Sequence, residues 1–148
     1  MERINIDTIK KFVTCGKIRW TNHVIIRLLQ RNINQRDVEH ALLNGTIIEE
    51  YENDYPYPSC LVYGISVNNK ILHIVCGFNG KLEEKNTTFM VELDNCIIII
   101  KNVPSLVCEQ CGEVLYSNEV SKQLEKLVNA VRNSITEITI INYSEKVA

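Results

Sequence analysis

The chain has 148 residues, 45% of them hydrophobic and 23% charged, the balance of a folded protein with apolar material for one core or two small ones. Sixteen Lys and Arg against eighteen Asp and Glu leave a formal charge of -2 and a pI near 5.9, which excludes a protein that coats nucleic acid indiscriminately but leaves room for a local basic patch. No apolar run reaches the roughly 18 residues of a membrane-crossing helix, and Met1-Glu2-Arg3-Ile4-Asn5 has no apolar run of a secretory signal, so the expected compartment is the cytoplasm, with no membrane partner. The six cysteines then count as reduced thiols or metal ligands, with Cys15, Cys60 and Cys96 read most simply as small buried hydrophobes.

Ile6, Ile9, Phe12 and Val13 recur at helical spacing between an Asn5 or Asp7 cap and a terminating Gly16, which predicts a first helix. Thr21 caps a second, with Val24, Ile25, Leu28 and Leu29 as its core stripe. His23, Arg27 and Arg31 follow one another at steps of four on the neighbouring face, so an acid–base group stands beside two guanidinium groups. Such a row suits a phosphodiester; the plain alternative is a solvated helix face. Asn34, with Asp37 in the reciprocal capping position, starts a third helix that buries Val38, Ala41 and Leu42 and stops at Asn44-Gly45.

The period then changes from 3.6 to 2. Residues 46–51, 60–67 and 70–78 read as strands, the last two joined by a turn at Asn68-Asn69. The loop between the first two carries Tyr55, Pro56, Tyr57 and Pro58; Tyr51, Tyr55 and Tyr57 are candidates to stack on RNA bases, or else to pin the loop. His73 is a candidate second acid–base group, or a packed strand residue, and His40 reads as a helix-surface residue. Three helices followed by a meander predict an α+β unit, with the helices packed on one face of an antiparallel sheet.

Asn22-His23, Arg27, Arg31-Asn32-Ile33, Asp37-Val38, Asn44-Gly45, Ile48-Glu49-Glu50-Tyr51, Pro58-Ser59-Cys60-Leu61 and Leu72-His73-Ile74-Val75 resemble the small family called domain of unknown function 4258, over residues 9–79. That resemblance implies a toxin of RelE-like or MqsR-like ribonuclease shape, often encoded beside YgiT-type antitoxins. The family's usual closing strand after His73 is not present in its expected form.

Residues 87–93 and 96–102 read as strands around Asp94-Asn95, the second an isoleucine run that asks for cover on both faces. Cys108-Glu109-Gln110-Cys111-Gly112 spells a metal knuckle, a turn that aims two sulfurs at one point with Gly folding the backbone under them. Ser117 or Asn118 caps a helix with Val120, Leu124, Leu127, Val128 and Val131 at helical spacing, and residues 135–143 read as a closing strand. Lys81-Leu82-Glu83, Thr87-Thr88-Phe89, Val91-Glu92-Leu93, Ile100-Lys101-Asn102-Val103-Pro104 and the knuckle resemble the YgiT-type (MqsA-like) zinc-finger antitoxin module. Members of that family carry a first Cys-x-x-Cys ahead of the Asn-Gly-Lys-Leu-Glu segment; here its positions hold Val75 and Phe78. Zinc is thus left with Cys108 and Cys111, with Cys76 as a substitute after a small shift, and His73, Asn79 or Cys96 as a fourth ligand. An empty knuckle held by packing, metal bound between two chains, and a redox pair are the alternatives.

The chain therefore reads as two modules: residues 1–79, a toxin-like α+β domain, and residues 80–148, a small β-rich zinc-ribbon-like module with one amphipathic helix and a C-terminal strand. Strand 87–93 is expected to replace the strand that the first lacks. The functional expectation is a toxin–antitoxin-related protein, with metal-independent mRNA endonuclease activity in residues 1–79, where His23 is the first acid–base group, His73 the candidate second, and Arg27 and Arg31 neutralise the phosphorane, fused to its own inhibitor and either self-inhibited or decayed. The alternative is a non-enzymatic antitoxin or zinc-finger protein that docks a toxin. RNA and a toxin or antitoxin protein are the expected partners. DNA is not, since no helix-turn-helix is visible in the roughly 17 residues after Val131.

Overall fold

The structure, a computed structural model, describes residues 4–55, 57–133 and 137–144. In chain order the elements are α1 (Ile6–Thr14), β1 (Arg19–Thr21), α2 (Asn22–Gln30), α3 (Gln35–Leu43), β2 (Thr46–Tyr51), β3 (Ser59–Ile65), β4 (Ile71–Gly77), β5 (Leu82–Leu93), β6 (Cys96–Cys108), β7 (Val114–Ser117), α4 (Asn118–Val131) and β8 (Ile138–Asn142). The class is α+β. The described residues fall into two compact units, both discontinuous in sequence: residues 4–18, 34–82 and 109–111 form the first, and 19–33, 83–108 and 112–144 the second. Neither coincides with residues 1–79 or 80–148.

In the first unit, the Asn5 side chain accepts from the Thr8 N–H at 2.9 Å to start α1, which buries Ile9 and Val13. A reciprocal capping box opens α3: the Asn34 side chain accepts from the Asp37 N–H, and Asp37 Oδ2 accepts from the Asn34 N–H, an arrangement worth about 1 kcal/mol. The antiparallel sheet runs β2-β3-β4. Along β3, Cys60, Val62 and Gly64 are buried, and α3 presses so closely on that face that a Cβ on Gly64 would lie 2.2 Å from the Ala41 carbonyl oxygen. The β3–β4 turn is longer than two residues; Ser66 and Lys70 flank it, with Asn69 at φ 63°. In β2 the register against β3 shifts between Ile47 and Glu49, so Ile48 is an extra residue and is half exposed.

The second unit is built on a five-stranded sheet, β1-β7-β6-β5, with β8 parallel to β6. Its core holds Trp20, Ile25, Leu29, Phe89, Val91, Ile98, Ile100, Val103, Tyr116, Leu124, Val128 and Ile141. The Phe89 and Tyr116 rings meet edge to face with centroids 6.1 Å apart. Two expectations change here. Helix α2 is part of this unit, where it touches β1, β7 and α4, while α1 and α3 stay with the three-stranded sheet. Strand β5 pairs with β6 rather than extending β2-β3-β4. The reason for α2 is long-range: β1, which leads into it, is too short to stand alone and pairs with β7 almost a hundred residues later, with Trp20 opposite Tyr116.

Strand β6 is longer than its sequence suggests because of a bulge. Asn102, at φ 57°, adds one residue, so the buried positions Cys96, Ile98 and Ile100 continue as Val103 and Ser105. Pro104 falls between the residues that pair with β8 and those that pair with β7, where a missing N–H is tolerated. The isoleucine run has buried residues on one face, while Ile97 and Ile99, beside exposed Ile138 and Ile140, are half-buried on the other. Ile135 and Thr136, predicted to open the last strand, lie outside the described residues. Among the described residues no helix is long and apolar enough to cross a membrane.

Candidate functional site

The predicted basic row sits on α2, and neighbouring side chains within its unit fix that helix at both ends. Thr21 Oγ1 accepts from the Val24 N–H at 3.1 Å, and the Tyr116 hydroxyl donates to Asn22 Oδ1 at 2.7 Å. The buried Trp20 indole donates to Asn118 Oδ1 at 3.0 Å. At the far end Asn32, at φ 54°, lets the chain turn back so that the Ile33 N–H reaches the Leu28 carbonyl at 2.9 Å. Arg132 donates to the Leu29 carbonyl at 3.0 Å and to Asn32 Oδ1 at 3.3 Å, and Gln30 donates to the Glu92 carbonyl at 3.0 Å. With Ile25 and Leu29 buried, the outward flank carries His23, Arg27 and, at the C-cap, Arg31, all exposed.

No Asp or Glu occurs between Asn22 and Gln30, so the row has no carboxylate of its own helix to neutralise it. Over two turns it spans about 12 Å. Chemically it offers one imidazole and two guanidinium groups, enough to hold an anionic chain and to supply one acid–base group. Beyond the Thr21 cap, the residues that hold α2 were invisible in the sequence: Tyr116 and Arg132 act on it from about a hundred positions away, and no local pattern marks them.

His73 belongs to the first unit. It lies on β4, exposed, opposite Tyr63, with the two rings tilted at 55° and centroids 5.7 Å apart. His40 is more than a surface residue: its Nδ1 is 2.9 Å from the Ile65 carbonyl oxygen. The three tyrosines have separate surroundings. Tyr51 donates to Glu49 Oε2 at 2.7 Å, a bond that, with some burial and the nearby carboxylates, raises its pKa. Tyr55 is 78% exposed, while Tyr57 lies against Gly80, where an added Cβ would be 2.7 Å from its ring. Asp54 and Ser59 share a short hydrogen bond across the base of this loop; Pro56 lies outside the described residues. A shallow depression of about 450 Å³ in the same unit is lined by Ile4, Asn5, Ile6, Thr46, Ile47 and Glu50 and contains none of the predicted site residues.

Cys108 and Cys111 do sit on a tight turn. The Gly112 N–H returns to the Cys108 carbonyl at 2.8 Å, the Cys108 N–H reaches the Glu113 carbonyl at 2.9 Å, and Gly112 has φ 75°. Cys108 is buried and Cys111 exposed. Cys76 lies on β4 directly opposite Cys60, and burial, then the neighbouring Cys60, pushes its thiol up to about 12. Among the described residues no group of three or more His, Cys, Asp or Glu gathers to hold a metal ion. The donor set of the turn is therefore two sulfurs, short of a closed tetrahedral site.

Residues 20–83, less than half of the chain, match the family described as a domain of unknown function, DUF4258. The match begins at Trp20 and so takes in β1 and α2 as well as α3 and the three-stranded sheet. No curated protein and no solved structure matches the chain.

Proposed function

We propose that this chain is a toxin–antitoxin-related protein whose target is RNA, bound along α2 by Arg27 and Arg31 and cleaved with His23 as the general base. The observation that carries the reading is the exposed row on a helix without acidic residues, fixed at both ends, within the stretch similar to DUF4258. In cleavage, His23 takes the 2′-hydroxyl proton, the oxygen attacks the adjacent phosphorus, the guanidinium groups offset the charge on the phosphorane, and an acid protonates the leaving 5′-oxygen.

Incubation of the purified full chain with single-stranded RNA tests this. The expected result is cleavage leaving a 2′,3′-cyclic phosphate, reduced at least ~100-fold by His23→Ala with binding retained. Arg27→Ala with Arg31→Ala should weaken binding and lower the slope of log K against log salt by roughly 1.4, near 0.7 for each single-strand phosphate that an arginine no longer neutralises. RNA binding that ignores both arginines would sink the proposal.

A second reading has its own support. The apolar flank of α2 is covered by C-terminal elements, β7 and α4, in the way an inhibitor fused in cis would hold a toxin helix. On that reading the chain is a non-enzymatic antitoxin or zinc-finger binding protein that docks a partner toxin. RNA binding without cleavage, unchanged by His23→Ala, would favour it. Zinc enters only through Cys108 and Cys111, with the remaining ligands supplied by a second chain.

A further inference from the structure

We propose that Cys60 and Cys76 are a redox site, forming a reversible cross-strand disulfide when oxidised by a small-molecule disulfide. The two residues are direct partners in the antiparallel register of β3 and β4, and direct partners put their side chains on the same sheet face. The Ser66 N–H donates to the Lys70 carbonyl at 2.8 Å, and hydrogen-bonded and non-bonded pairs alternate from there, so Cys60 and Cys76 form a hydrogen-bonded pair. Such a pair has its Cα atoms about 5.5 Å apart, inside the range that a disulfide spans. Its Cβ atoms start wider than the roughly 3.8 Å that the bond prefers, so closure draws the strands together and leaves a strained, readily reduced link. Glu50, opposite Cys60 on β2, is the charged neighbour in this row. Burial raises both thiols, which keeps them protonated and slow to react until an oxidant engages the more accessible one.

Cys76 is the entry point, because it is half-buried on a strand paired on one side only, whereas Cys60 is 1% exposed. Its sulfur attacks oxidised glutathione, loses its proton and releases one glutathione. Cys60 then attacks the mixed disulfide, loses its proton and releases the second, so two thiols are oxidised and one disulfide is reduced. The link ties β4 to β3 and closes the segment that carries His73. It does not depend on the RNA reading.

The test uses the full chain with the exposed Cys15 and Cys111 changed to Ser, treated with oxidised glutathione without denaturant. The expected product has lost two hydrogens and gives one linked peptide pair, 60 with 76, that a dithiol separates. Adding Cys76→Ser removes the link. Recovery of both thiols in full by alkylation after unfolding, or a link that forms only in denaturant, would overturn the proposal.

Discussion

Gly64 is where the first unit leaves no room. A Cβ there would lie 2.2 Å from the Ala41 carbonyl oxygen and 2.7 Å from its carbon, both backbone atoms that cannot swing aside. Gly64→Ala should cost at least about 3 kcal/mol, read as a fall in the urea midpoint. Gly80→Ala, which meets the ends of the Tyr57 and Gln110 side chains, should cost distinctly less. Tyr116 makes a prediction of the opposite kind. Burial lifts its pKa to about 12 from the ordinary value of 10.0, so between those values the unfolded chain has lost a proton that the folded one keeps. The stability held by the neutral phenol is therefore intact below about pH 10 and lost as pH rises toward 12, by about 2 kcal/mol. Half-buried Cys76 acts in the same direction from its lower starting value of 9.0. Urea unfolding from about pH 8 to 11 checks the decline, and Tyr116→Phe should flatten part of it. Of these residues the sequence announced the caps, Thr21 and the Asn34–Asp37 pair, because capping depends on neighbours three positions away. It could not announce Gly64, whose constraint comes from another element.

Among the elements, β1 and α2 show most clearly how chain order and packing diverge. Strand β1 pairs with β7 alone, and α2 buries Ile25 and Leu29 in a core completed by residues after 83. A nine-residue helix without its packing surface is not stable in water. A fragment ending at residue 80 should accordingly have a far-UV circular dichroism signal of two nine-residue helices, α1 and α3, rather than three. Full helicity in that fragment would contradict the assignment of α2 to the second unit. RNA cleavage is therefore to be measured on the full chain, since the fragment lacks the elements that pack against α2. The bulge at Asn102 belongs to this scale too: alternation of buried residues breaks there by one, and with Pro104 close behind, the sequence pattern ends a strand that the ladder continues.

For the whole molecule, the zinc expectation comes down to stoichiometry. Two sulfurs per chain can complete a tetrahedral site only by sharing, so zinc bound to the purified protein should not exceed about half an ion per chain and should fall to background in Cys108→Ser. A full equivalent per chain, kept by that variant, would place the metal elsewhere. By itself the sequence determined what is short-range: the helices and their caps, the strands of the meander, the Cys108–Cys111 turn, and the step of four that puts His23 beside Arg27 on one flank. Only the tertiary structure decided which unit α2 joins, that β5 pairs with β6, and that Cys60 faces Cys76. Periodicity records which face of an element is apolar, whereas the surface that covers that face is chosen by segments a hundred residues distant.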